Sequence, residues 1–114
     1  MSSAAGFNHY NRAGMVHAGM GDWQQAFGFK GLFDGFYHLY PSLEQQWAYY
    51  ARYIDFMLRE PASQPYLDLR SLIDHKDYFI LSTNVDTQVE KTFPTERICN
   101  YQGSFAHLQC KQPC

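Results

Sequence analysis

The segment Phe79–Ser104 reads FILSTNVDTQVEKTFPTERICNYQGS. It contains two short apolar runs, Tyr78–Ser82 and Arg97–Tyr101, each about the length of a β-strand. Each is followed by residues that hydrogen-bond without adding apolar surface. The first run is followed by Thr83-Asn84-Val85-Asp86 and the second by Gln102-Gly103-Ser104. Between the runs, Thr87–Phe93 reads as a short helix, with Asp86 placed as its N-cap and Pro94 as its stop. The first run, taken from Asp77, is apolar without alternation, which predicts a strand buried on both faces.

Working outward, the clearest helix lies upstream. Ser42 and Gln45 form a Ser-x-x-Gln capping box, Arg59 suits the C-terminal end and Pro61 ends the helix. Leu43, Trp47, Ala51, Ile54 and Leu58 recur at helical spacing and predict the core-facing stripe. Tyr66–Asp74 reads as a further short helix. Helix, strand, helix, strand is the order of a parallel α/β sheet. Residues 1–40 are rich in glycine and aromatics without a regular period, and read as loops and short helices packing an aromatic core.

The chain has 114 residues, sufficient for one small domain. With 46% hydrophobic residues it has the composition of a packed protein rather than a disordered one. A net charge of -2 argues against a nucleic-acid footprint and against an anionic-membrane binder. No apolar run reaches the roughly 20 residues of a membrane helix. No signal-peptide pattern opens the sequence, and three cysteines do not suit a secreted disulfide framework, so the expected compartment is the cytoplasm. The five histidines, at 9, 17, 38, 75 and 107, show no triad or ligand spacing. Cys99 falls in the second strand and reads as a small buried hydrophobe.

In open α/β sheets, ligands sit beyond the carboxyl ends of the strands. Adjacent strands would bring Asn84, Asp86 and Gln102 together there. Carboxamide side chains offer donors and an acceptor suited to ribose hydroxyls and to another carboxamide, and small residues near the start offer backbone N–H groups suited to phosphates. The same residues also suit a plain Asx turn with a helix cap, and Gln-Gly-Ser a simple turn.

These motifs resemble the sirtuins. In that family a strand-end Thr-Gln-Asn-Ile-Asp is followed by Leu-His-Gly and then by paired cysteines. The corresponding residues are Ser82-Thr83-Asn84-Val85-Asp86, Tyr101-Gln102-Gly103, and Cys110 with Cys114. MSSAAGF at the start is similar to the continuation of the family's Gly-Ala-Gly-x-Ser turn. GFYHLYPSLEQQWAYYARYI, KDYFILSTNVDTQVEK and YQGSFAHLQCKQPC are most similar to the class M branch, microbial sirtuins found beside macrodomain proteins.

The resemblance implies an incomplete Rossmann-like α/β fold of sirtuin type, a parallel sheet with a helical, aromatic-rich insert. Residues 1–11 would be a remnant of the cofactor loop, 12–76 the helical region, 77–104 the strand–helix–strand site region and 105–114 the start of a cysteine-bearing small domain. The absent Gly-Ala-Gly makes an interior slice of a larger domain the expectation. Implied contacts to NAD fall on Ser2, Ala4, Gly6, Phe7, Tyr10, Thr83, Asn84, Asp86 and Gln102, with Asn84 and Gln102 catalytic. Cys110 and Cys114 would form half of a zinc site; the motif alone is a weak signal and also reads as two free thiols.

Two departures bear on activity. Gln102 stands where deacylating sirtuins carry a general-base histidine, and Asn8-His9-Tyr10-Asn11 replaces Pro-Asp-Phe-Arg. A neutral amide does not take up a proton near neutral pH. The resemblance therefore implies NAD-dependent ADP-ribosyl transfer by the intact protein, with a lipoylated glycine-cleavage H-like protein as acceptor and a macrodomain protein as partner. The alternatives are NAD-dependent protein deacylation and a truncated, non-catalytic fragment.

Overall fold

The computed structural model describes residues 12–112. Short helices open this region: α1 (Arg12–His17), α2 (Gly21–Phe27) and α3 (Asp34–Tyr37). The long α4 (Leu43–Arg59) and α5 (Gln64–Ile73) follow. Strand β1 (Ile80–Ser82), α6 (Gln88–Thr92), a 3-10 turn (Thr95–Arg97) and β2 (Ile98–Asn100) complete the order. The architecture is mixed helix with one two-stranded parallel sheet, and is α/β in that broad sense. Ile80 lies opposite Ile98 and Ser82 opposite Asn100, so both carboxyl ends leave on the same side.

Helix α4 begins where its capping signal lies. Ser42 Oγ accepts from the Gln45 N–H at 3.4 Å. The buried face differs from the expected one. Tyr49, Tyr53 and Met57 are buried, whereas Leu43, Trp47 and Leu58 are exposed, Trp47 by 50%. The centres of the two stripes lie about 120° apart around the helix. Helix α4 carries two apolar stripes, and the aromatic one finds the better partners. Its rings pack among Trp23, Phe29 and Phe36 from the upstream segment. The Tyr49 hydroxyl donates to the Leu32 carbonyl, so a large apolar ring is buried with its polar end satisfied.

A second, smaller cluster joins Tyr66 of α5 with Val89 and Phe93 around α6. Ile80 and Ile98 of the sheet pack against it. Among the described residues the sheet is covered on one face only. Phe79, Leu81 and Cys99 are exposed, contrary to the expectation of a doubly buried strand and a buried Cys99. Among the described residues, α5 and α6 pack against the face bearing Tyr78, Ile80 and Ile98.

The two clusters are tied at the end of α4. The Thr87 hydroxyl donates to the Met57 carbonyl at 3.1 Å, and the Lys91 ammonium donates to the carbonyls of Met57 and Glu60. These bonds satisfy carbonyls that a helix C-terminus leaves without intrahelical partners. They also place a cation where the helix dipole favours one. The start of α6 is thereby fixed against the core.

Candidate functional site

The site is built at the tip of β1. The Tyr101 N–H donates to the Ser82 carbonyl at 2.9 Å, continuing the strand ladder into the turns. The Phe105 N–H then donates to the Val85 carbonyl at 3.4 Å, keeping the two turns side by side. Ser82 is buried, and its Oγ accepts from the Asn84 N–H at 3.1 Å, a local turn that lifts Asn84 off the strand.

From Asn84 a chain of hydrogen bonds runs inward. Asn84 Nδ2 donates to the Tyr66 hydroxyl at 2.9 Å. That hydroxyl donates to Asp86 Oδ2 at 3.0 Å, and Asp86 Oδ1 accepts from the Gln88 N–H at 3.1 Å. Asp86 is 1% exposed and both its oxygens have protein partners. It is not the N-cap expected from the sequence: α6 opens one residue later with Thr87 as its cap, and Asp86 forms a turn with the Gln88 N–H from the position before it. Thr87 sits between them in the left-handed region, at φ 61°.

Gln88, fully buried, accepts from the Ser63 N–H at 2.8 Å and donates to the Pro61 carbonyl at 3.2 Å. One side chain thereby ties the α4–α5 linker, and with it the start of α5 and Tyr66, to the start of α6. Burial is the first reason that the Tyr66 hydroxyl is held well above the ordinary phenol range. The Asp86 charge and hydrogen bond add to it.

Asn84 and Thr83 line an open cleft of about 200 Å³ with Tyr66, Ser82 and the apolar Leu69 and Phe93. A cleft of about 320 Å³ lies at the tip of β2, among Glu90, Asn100, Ser104 and His107. Glu90 Oε1 and Asn100 Oδ1 are buried without a hydrogen-bond partner among the described residues. Gln102 is exposed on the turn after β2 and does not line the Asn84 cleft.

The structure thus brings Asn84 and Asp86 together through Tyr66 and leaves Gln102 on the neighbouring turn. Ser2, Ala4, Gly6, Phe7, Tyr10 and Cys114 lie outside the described residues. Cys110 is exposed. Among the described residues, no group of three or more His, Cys, Asp or Glu side chains is placed to hold a metal ion, so they do not supply a tetrahedral zinc set. Nor is any helix among them long and apolar enough to cross a membrane. Sequence reasoning missed Tyr66 and Gln88. Tyr66 carries no local signal, since a tyrosine near a helix start reads as core. Gln88 carries no local signal either, since it stands in a mostly polar stretch, Thr87-Gln88-Val89-Glu90-Lys91-Thr92.

No family model matches the chain. Over 95 residues it is 30% identical to a "Protein ADP-ribosyltransferase" of Staphylococcus aureus (strain Mu50 / ATCC 700699). The alignment covers 82% of this chain and 30% of that protein. The chain is similar to a protein ADP-ribosyltransferase. It spans under a third of that relative's length.

Proposed function

We propose that this chain forms the nicotinamide-riboside side of an NAD-dependent protein ADP-ribosyltransferase of sirtuin type, within an incomplete Rossmann-like sheet. The observation that carries the reading is Asn84. It sits at the carboxyl end of a parallel strand, at the lip of a cleft, with its amide nitrogen held and its carbonyl oxygen without a protein partner among the described residues. That is where open α/β sheets bind ligands. The relative's name, protein ADP-ribosyltransferase, supports the same reading.

NAD is the substrate here. The bond from C1 of the ribose to the nicotinamide nitrogen breaks through a cation-like state, and the leaving nitrogen keeps the electron pair. A nucleophile on the acceptor protein forms the new bond to C1 and gives up its proton. Asn84 holds the ribose by accepting from a hydroxyl. Asp86 keeps lone pairs free to accept from a carboxamide beside its bonds to Tyr66 and Gln88, and at 1% exposed it needs the neighbouring turn to open for that contact. Gln102, a neutral amide, orients the acceptor or the ribose.

Because departure of nicotinamide leads, positioning and electrostatics supply most of the rate rather than a strong base. The same neutrality of Gln102 weighs against deacylation, which relies on activating a ribose hydroxyl. The acceptor is a protein of the lipoylated glycine-cleavage H-like class, with a macrodomain protein as partner.

Asn84→Ala tests the assignment. The expected result is loss of labelled ADP-ribose transfer from NAD to the carrier protein by a folded variant. Transfer at the wild-type rate would remove Asn84 from the mechanism.

A further inference from the structure

We infer that Tyr66 is the positioning residue that sets which way the Asn84 amide faces, an inference that rests on the role proposed for Asn84. The reasoning is one of hydrogen-bond polarity. A carboxylate is acceptor-only, so Asp86 Oδ2, at 3.0 Å, takes the single hydroxyl proton of Tyr66. With its proton committed, the Tyr66 oxygen can only accept from its other neighbour. That neighbour is the Asn84 amide at 2.9 Å, which must therefore present its NH₂ group.

The Asn84 carbonyl oxygen is in consequence turned away from Tyr66, at the lip of the cleft, and left to accept from a ligand hydroxyl. The order carboxylate, hydroxyl, amide can be run in only one direction. Burial holds the two inner members in place: Tyr66 and Asp86 are each 1% exposed, and Gln88 fixes the segment before α5 against α6. Without the hydroxyl, the terminal torsion of Asn84 has two comparable wells, and half of the molecules would offer a donor where an acceptor is needed.

Two variants test this. Tyr66→Phe keeps the ring and removes the relay. Asp86→Asn reverses it: its new NH₂ donates to the Tyr66 oxygen, and the freed hydroxyl proton turns to the Asn84 carbonyl. The first readout is the pair of Asn84 side-chain amide protons in ¹⁵N-labelled protein without ligand. In the wild type one is held by Tyr66, shifted from its partner and slow to exchange. In both variants the pair should take on the pattern of an exposed amide.

The second readout is transfer from NAD, expected to fall about twofold in kcat/KM in Tyr66→Phe, where half of the amides face the wrong way, and about tenfold in Asp86→Asn, where the Asn84 carbonyl is turned inward, the scale of one lost hydrogen bond. Asn84 amide signals that are unchanged in a folded Tyr66→Phe or Asp86→Asn protein would overturn the relay. Altered signals with undiminished transfer would overturn its part in the reaction. If the intact protein transfers nothing, the proposed function fails, and the amide signals still decide whether Tyr66 orients Asn84.

Discussion

The ring of Tyr49 lies directly against the α-carbon of Gly35. A β-carbon at position 35 would overlap Tyr49 Cζ, Cε1 and Cε2. Neither side can yield easily. The Tyr49 hydroxyl is bound to the Leu32 carbonyl, and its ring meets Trp23, Phe29 and Phe36 edge-on. On the other side the Tyr40 hydroxyl donates to the Gly35 carbonyl at 2.9 Å.

Gly35→Ala is therefore expected to destabilise the protein. Alanine favours a helix over glycine by about 1 kcal/mol. Forcing a methyl group into a filled core costs about 1–3 kcal/mol and at times more, and with so rigid a neighbour the steric cost should win. A net loss of about 2 kcal/mol, read from urea unfolding, is the expected outcome. A variant as stable as the wild type would mean that Tyr49 is not seated over Gly35.

Helix α4 gives a second test, because two stripes compete on it. Tyr53 is fully buried among Phe36 and Phe105, whereas Trp47 is half exposed. Tyr53→Ala should cost about 3–5 kcal/mol, in the range of large aromatic deletions. Trp47→Ala should cost under about 1 kcal/mol, as expected for a partly exposed residue outside the core. Thermal or urea unfolding of the pair decides it, and the reverse order would restore the stripe expected from the sequence.

These contrasts show what the sequence could disclose. The limits of α4 were legible because a cap and a stop are local: Ser42, Gln45 and Pro61 act within a turn of the helix ends. Its buried face was not legible, because both stripes have the right period and only the upstream aromatics choose between them. The strand centres were legible as apolar runs, and their parallel pairing followed from the helix between them. Exposure of Phe79 and Leu81 depends on what covers each sheet face, which an apolar run does not encode. At the site, Asn84 and Asp86 stood out as polar groups at a strand end. Tyr66 did not, since it reaches Asp86 across 20 residues of chain from a different helix.

Alkaline pH gives the last test. Three tyrosines are held above the ordinary phenol value of about 10. Tyr40 is pushed up to about 12, first by burial and then by Tyr50. Tyr49 is raised by burial, then by Tyr40 and Asp34. Tyr66 is raised by burial, then by Asp86. In each case the fold prefers the protonated hydroxyl, which donates to Gly35, Leu32 and Asp86 respectively. Their contribution is complete below the unfolded value. It is lost as pH rises from about 10 towards the folded values, because there the unfolded chain has released protons that the folded chain retains. The urea midpoint should therefore fall steadily above pH of about 10. Phenolate absorbance should show a fraction of the tyrosines ionising only with unfolding. If every tyrosine titrates reversibly near its ordinary value while the near-ultraviolet circular dichroism stays native, these hydroxyls are not buried on the partners described.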